Sequence, residues 1–378
     1  MINNQRLIAL TQKVIRVNSE NPPGNEYALS QLIKKDMVSL GLAVRAYTFD
    51  RDRHNIVATL KGKAKDSAKK AVLISPHFDT VPAGKGWAFP PFVARIHKGK
   101  IYGRGASDDK GNLAVCMEVM RSLVEDKVVL KKDIVLAATA DEETGSHDGI
   151  VPLLKRKILK VKDAVILDSD EFHTIVAQKG LIHCRLQVFG KKAHGAYNWQ
   201  GVNAIELAAK IIGKLKAHKF PYRKHSLLHR PTVNIGTVKG GDKVNMVADF
   251  CEFSIDTRYL PGTTPGQVLG IIKRIAKSVT PRFKIEIDDI QHPYEISTTH
   301  PLVQTYVKTC RCMKIKPQLT GSEGATVISF FKKAGIPAFA TGFAASGTAH
   351  TTDEFVRIND LCRGARVLEA FLKEYCGQ

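Results

Sequence analysis

Carboxylates and imidazoles gather where the apolar runs of this chain end. Ala71-Val-Leu-Ile-Ser-Pro runs into His77-Phe-Asp79, Asp133-Ile-Val-Leu-Ala-Ala-Thr-Ala into Asp141-Glu142-Glu143, and Ala164-Val-Ile-Leu into Asp168. Ala338-Phe-Ala-Thr-Gly is followed, across a short loop, by His350. A glycine-containing segment, Gly103-Arg-Gly-Ala-Ser-Asp108-Asp109-Lys110-Gly111, opens a helical pattern. Burying a lone charge at a strand end costs several kcal/mol, so such residues need partners. The carboxyl ends of strands are where open α/β sheets bind ligands. Two imidazoles with three or more carboxylates form a hard-to-borderline donor set, suited to Zn²⁺ or its neighbours. Each piece alone has an ordinary reading: a surface histidine, a solvated acidic turn, a plain loop. Their convergence on one edge does not. The loop is no dinucleotide fingerprint, because Asp108 stands where a third glycine belongs, and no Gly-Lys-[Ser/Thr] follows to make a P-loop.

The elements that must position these residues alternate between helical and strand-like patterns. Apolar spacing predicts helices over about Gln5 to Val17 and Tyr27 to Leu40, the second stopped by Gly41. Strand-like pieces follow at Asn55 to Leu60, Ala71 to Ser75 and Lys100 to Tyr102, then a helix over Lys110 to Val124. A buried strand at Asp133 to Ala140, a helix at Gly149 to Lys157 and a strand at Ala164 to Leu167 continue the alternation. This is the rhythm of an α/β sheet covered on both faces. The middle differs: strand Leu181 to Phe189, helix Val202 to Leu215, strands Thr232 to Val238 and Val244 to Tyr259, helix Thr264 to Val279, strand Phe283 to Asp288. That β-α-β-β-α-β order reads as a ferredoxin-like insert. The α/β pattern resumes with helices at Leu302 to Cys312 and Thr326 to Ala334, a strand at Ala338 to Thr341 and a helix at Ile358 to Tyr375. We therefore expect a catalytic domain in two parts, residues 1–179 and 293–378, interrupted by an α+β domain over 180–292.

A length of 378 residues corresponds to two to three domains at about 150 residues each. No apolar run approaches the ~20 residues that cross a bilayer, and the first residues carry no signal-peptide pattern. Seven scattered cysteines without a C-x-x-C read as free thiols in a reducing cytoplasm. The net charge of +21 invites a nucleic-acid reading. Against it, lysine pairs are spread along helix faces and aromatics make up only 7% of the chain, with no basic stretch interleaved by rings that would stack bases. A solvated, lysine-rich surface is the simpler account. A basic nucleic-acid-binding or interaction protein retaining the fold is the rival from another class.

With these motifs in order, the sequence resembles the zinc-dependent amidohydrolases and exopeptidases that include acetylornithine deacetylase, succinyl-diaminopimelate desuccinylase, glutamate carboxypeptidase and aminoacylase. The resemblance covers essentially the whole chain. It rests on Asn21-Pro-Pro-Gly-Asn-Glu26, Arg53 with Asn55-Ile-Val, His77-Phe-Asp79-Thr-Val-Pro82, the Gly103 to Gly111 loop, Asp141-Glu142-Glu143-Thr-Gly145 and Gly347-Thr-Ala-His350-Thr-Thr-Asp-Glu354. The resemblance implies two divalent metals, most readily zinc, with cobalt or manganese as alternatives. His77 and Asp168 would hold one, Glu143 and His350 the other, and Asp108 would bridge them. Asp79 would orient His77, and Glu142 would be the general base, activating a water between the metals and protonating the leaving amine.

The insert likewise resembles the family's lid and dimerisation module, through Lys192-Ala-His194-Gly-Ala-Tyr-Asn-Trp-Gln-Gly201-Val-Asn203-Ala-Ile205. By that likeness His194 would reach a partner's site and stabilise the oxyanion, and Asn245 and Arg258 would bind a substrate carboxylate. The expected protein is a cytoplasmic homodimer that hydrolyses the amide bond of an N-acyl amino acid or small peptide, with no membrane and no specific nucleic-acid partner. A di- or tripeptidase or a carboxypeptidase is the alternative within the family. Four departures bear on that choice: Ser75 where glycine is common, Asp109 where many relatives have methionine, Asp168 where the deacetylases have glutamate, and Glu323 for a frequent aspartate.

Overall fold

The computed structural model describes residues 1–50 and 52–377. The chain forms two compact units: residues 1–176 with Ile296–Thr320 and the chain from Phe330 on, and Ala177–Glu295 with Gly321–Ser329.

In the first unit the strands Val72–Ser75, Ile134–Ala138, Asp163–Leu167 and Ala338–Thr341 are buried at every position. Near-continuous apolar strands of this kind are stable only when both faces of the sheet are covered. They run parallel to one another, in the order Ile134–Ala138, Val72–Ser75, Asp163–Leu167, Ala338–Thr341. His54–Leu60 adds antiparallel to Ile134–Ala138, and Ala43–Thr48 adds antiparallel to His54–Leu60 at the edge, so the sheet is mixed. Helix Lys110–Glu125, buried along nearly its whole length, packs against helices Asn4–Ile15 and Ile358–Gly377. Helix Tyr27–Ser39 packs on the outer strand pair.

In the second unit four antiparallel strands stand in the order Thr232–Gly240, Phe250–Tyr259, Gly180–Phe189, Phe283–Gln291. Alternation of burial along Phe250–Tyr259, and along Gly180–Phe189 from Ile182 onward, gives the sheet one apolar face. Helices Ala204–Ala217 and Pro265–Lys277 fill that face with Ala208, Ile211, Leu215, Val268 and Ile272. Asn203 caps the first, and a Thr264–Gln267 capping box starts the second.

Two differences from the sequence reading have local causes. The strand expected from Val244 begins only at Phe250, because the chain turns after Gly241 (φ +77°), closes Met246 N–H onto the Lys243 carbonyl, and leaves Val244 fully exposed. The strands Ala43–Thr48, Arg95–His97, Thr174–Gln178, Leu319–Ser322 and Phe355–Arg357 had no readable signal. Four of them are five residues or fewer, and the fifth is an exposed edge whose apolar alternation is weak. Among the described residues no helix is long and apolar enough to cross a membrane.

Candidate metal centre

The parallel strands deliver the site. Beyond Val72–Ser75 the chain continues in register beside Thr139, which fixes His77 and Phe78 as an extension of the sheet. His77 is buried; its Nδ1 lies 3.2 Å from the Asp79 carbonyl and 3.3 Å from Asp79 Oδ1, and its Nε2 lies 2.9 Å from Asp108 Oδ1. Asp79, fully buried, is a hub. Its carboxylate accepts from Asn21 Nδ2 at 2.9 Å and from the backbone N–H groups of Glu142 and Glu143, each at 3.1 Å. One carboxylate therefore orients an imidazole and pins two neighbouring acidic residues by their main chain.

The second arm is the glycine loop. Gly105 has φ +84°, and a Cβ there would come within 2.8 Å of Lys110 and Thr80 side-chain carbons. Glu354, also fully buried, holds the loop: it accepts from the N–H groups of Gly105 (3.0 Å), Ser107 (2.8 Å) and Asp108 (2.9 Å) and pairs with Arg104 at 2.7 Å. Asp109 faces inward. It accepts from the His77 N–H at 3.1 Å and from Asn112 at 2.6 Å, and Asn112 in turn accepts the Phe343 N–H at 2.9 Å. This carboxylate ties the first strand's extension to the helix behind the site.

Asp141 (φ +64°) turns the chain out of Ile134–Ala138, held by Arg53 at 3.0 Å and by the Asp148 N–H at 2.8 Å. Arg53 is also paired with Glu26. Glu142 and Glu143 follow this turn, Asp168 follows Asp163–Leu167, and His350 (φ +61°) sits on the loop beyond Ala338–Thr341. His350 Nε2 reaches Asp108 Oδ2 at 3.0 Å and Glu143 Oε2 at 3.1 Å.

The result is two sets of donors sharing one residue. His77, Asp108 and Asp168 offer ligand atoms all within 4.8 Å of one another, and so do Asp108, Glu143 and His350. Electrostatics give the same picture. Burial would raise the Asp108 carboxyl, but hydrogen bonds from His350 and His77 hold it below the usual carboxylate range. Hydrogen bonds to Asp108 and Glu143 lift His350 to about 10. Burial pushes Asp168 up to about 6; His77 opposes the rise, and the charges of Asp108 and Glu143 add to it. Burial also takes Glu142 well above the ordinary carboxylate range; His77 opposes the rise, and the charges of Asp168, Asp108 and Glu143 add to it. Protonated imidazoles here balance converging carboxylates. Divalent cations would take the place of those protons, with one imidazole and two carboxylates each, so the donor chemistry fits them.

Of the expected site residues, His77, Asp79, Asp108, Glu142, Glu143, Asp168 and His350 lie together in the first unit. His194, Asn245 and Arg258 belong to the second. There, Gly195 N–H donates to the Asn245 carbonyl at 2.8 Å, so the His194 and Asn245 segments run side by side. His194 accepts the Ala196 N–H at 3.1 Å, and its ring stands near Tyr197, which in turn meets Trp199. Arg258 is engaged bidentately by Asp256, at 2.8 and 3.1 Å. Glu323 pairs with buried Lys179 and accepts the His229 N–H. The roles of Asn21, Asp109 and Glu354 were not read from the sequence; Asn21 and Glu354 stand in recognised segments, but nothing local says which N–H groups they serve.

A mixed α/β sheet carrying two His/carboxylate donor sets at its strand ends defines a metal-dependent hydrolase. Residues 73–374 match Peptidase family M20/M25/M40, and the chain belongs to that family. Among curated relatives it is similar to acetylornithine deacetylase of Yersinia pseudotuberculosis serotype O:1b (strain IP 31758), 27% identical over 391 aligned residues that cover 99% of this chain and 97% of that protein. Among solved structures it resembles aminopeptidase PepT from Bacillus cereus ATCC 10987, with TM-score 0.81, 24% identity and 99% of each chain covered. It also resembles the Bacillus subtilis YXEP protein, a dinuclear metal binding peptidase of the M20 family, with TM-score 0.77, 14% identity, and 99% and 98% of the two chains covered. The structural likenesses carry the fold.

Proposed function

We propose that this chain is a dinuclear hydrolase that cleaves the amide bond of an N-acyl amino acid or a small peptide, as a deacetylase or desuccinylase does. The observation that carries the reading is the pair of donor sets sharing Asp108, with Glu142 beside them and outside both. His77, Asp108 and Asp168 would hold one ion, and Asp108, Glu143 and His350 the other, zinc being the best match and cobalt or manganese the alternatives. Bound ions of this kind polarise a carbonyl and make water a nucleophile at neutral pH. Glu142 takes the proton of the attacking water and returns it to the departing amine nitrogen as the C–N bond breaks. A base that must give its proton back works best with a pKa near the operating pH, and burial among acidic neighbours moves Glu142 in that direction. Asp79 keeps Glu142 and Glu143 in place through their N–H groups.

Asn245 and Arg258 supply the contacts for a substrate carboxylate, with Asp256 presenting the guanidinium. His194 serves the oxyanion, within a homodimer formed through the second unit in the cytoplasm. One observation favours a di- or tripeptidase instead, namely Asp168 in a position where the deacetylases have glutamate. A panel of N-acetyl and N-succinyl amino acids and dipeptides, assayed with Zn²⁺, Co²⁺ or Mn²⁺, separates the two. Retention of DNA that weakens with salt, with no hydrolysis of any panel member, would overturn both.

A further inference from the structure

The first unit has a second concave surface, remote from the metal donors. It is a groove of about 1260 Å³ at the amino ends of the parallel strands. Its floor is largely aliphatic, built from Val57, Ala71, Val135, Leu159 and Ile336, with Thr59 contributing a methyl and a hydroxyl. The outer strand pair explains why it is open. Ile56 and Ala58 are fully buried on the face where helix Tyr27–Ser39 packs, so Val57 and Thr59 point to the other face, where the groove is flanked by the six-residue helices Ile150–Lys155 and Ile328–Lys333. Lining residues lie on or just before six neighbouring strands, from Ala43–Thr48 to Ala338–Thr341. At ~4.8 Å per strand the groove spans about 24 Å, the length of a helix of about 16 residues.

The rim is basic throughout. Arg45, Lys69, Lys155, Lys157, Lys160 and Lys333 line it, and among the described residues none has a carboxylate within ion-pair distance. Asp133, the one acidic residue of the lining, is already held by Lys61 at 2.8 Å. We propose that this groove docks an acidic amphipathic helix of a partner protein, its apolar face on the aliphatic floor and its carboxylates against the rim. The distribution of charge selects this occupant. A single-headed anionic lipid needs cations at one end, whereas these extend from the edge strand to the last parallel strand. A bilayer is flat, and the apolar residues here are recessed. Nucleic acid needs stacking platforms, and the lining holds only two rings, Tyr47 and Phe330. A second copy of this chain, with 57 lysines and arginines against 36 acidic residues, matches a basic rim less well than an acidic partner does.

The test uses the full chain and a labelled 16-residue peptide with leucines at i, i+3, i+4 and i+7 and glutamates flanking them. The control is the same composition scrambled so that the leucines share no face. Fluorescence anisotropy should show the patterned peptide binding at least about tenfold more tightly than the scrambled one, and weakening with salt. The triple variant Lys155→Ser, Lys157→Ser, Lys160→Ser should lose about tenfold in that affinity while keeping wild-type hydrolysis, which also shows that it folds. Equal binding of the two peptides, or no loss in the triple variant, would overturn the proposal. So would tighter binding of a single-stranded RNA 20-mer or of phosphatidylglycerol vesicles that the same variant abolishes.

Discussion

Strands Val72–Ser75, Ile134–Ala138, Asp163–Leu167 and Ala338–Thr341 have one chemistry at their carboxyl ends and another at their amino ends. They run out into His77, Asp141 to Glu143, Asp168 and, after a loop, His350; they are preceded by Lys69 and Lys70, Lys131 and Lys132, Lys160 and Lys162, and Lys332 and Lys333. The acidic end is built: Asp79 and Glu354 are buried, and between them they hold five backbone N–H groups. The basic end is mostly exposed. The net charge of the chain therefore says little about its chemistry. What separates the metal-donor end from the basic end is whether the charged groups are themselves buried and held in place by the fold.

That contrast predicts graded losses at the carboxyl ends. Asp108→Ala should do the most damage, because both donor sets contain this residue. Elemental analysis should find neither ion retained and turnover should fall below detection; stoichiometric metal in this variant would break the shared-ligand assignment. Glu142→Gln should come next, cutting turnover by about 10²–10⁴-fold while the metal content stays at the wild-type level. Loss of metal in that variant would make Glu142 a ligand rather than a base.

Glu354→Gln sharpens the comparison one step further out. The amide keeps the size of the side chain but not the charge that accepts three N–H donors and Arg104. Metal affinity should drop about 10–100-fold, as it does when groups behind the ligands are lost. A chelator titration measures it. Wild-type affinity would mean that the loop holds Asp108 without this carboxylate.

The gathering of donors at one sheet edge was legible because each acidic or imidazole residue directly follows an apolar run, and the length of those runs is a local property. Two kinds of information were not. The Asn21–Asp79 and Glu354–Asp108 bonds span 58 and 246 residues, and nothing near Asn21 or Glu354 names its partner. Strand order is equally non-local: Lys61, Lys69, Lys160 and Lys333 look like scattered surface lysines until the order of the strands brings their segments to one end. Arg258 shows a third case. Its guanidinium suits a carboxylate, but that Asp256, two residues away on the same face of the strand, holds it at 2.8 and 3.1 Å is side-chain geometry that strand periodicity does not fix.

The smallest predicted effect lies at the amino ends and concerns stability alone. Asp133 is buried, accepting from Gly62 N–H at 2.9 Å and from Lys61 at 2.8 Å. Burial would raise its carboxyl, but Lys61, the Gly62 N–H and Ser67 outweigh that and hold it below the ordinary carboxylate value. The folded protein therefore binds this proton less readily than the unfolded chain. The stabilisation is complete above the ordinary carboxylate pKa, near pH 4, and fades as the pH falls through the depressed value. Lys61 is largely exposed, so the ion pair contributes little and the hydrogen bond to the buried carboxylate carries most of the effect. Asp133→Asn should cost about 1–3 kcal/mol in urea unfolding at pH 7, and the gap should narrow steadily as the pH falls below the ordinary carboxylate value, with turnover unchanged. Proton-driven losses at the metal donors are common to both proteins and cancel in the difference. A gap that does not narrow as the pH falls below about 4 would show that the shape of the side chain, and not its charge, is what the amino end requires.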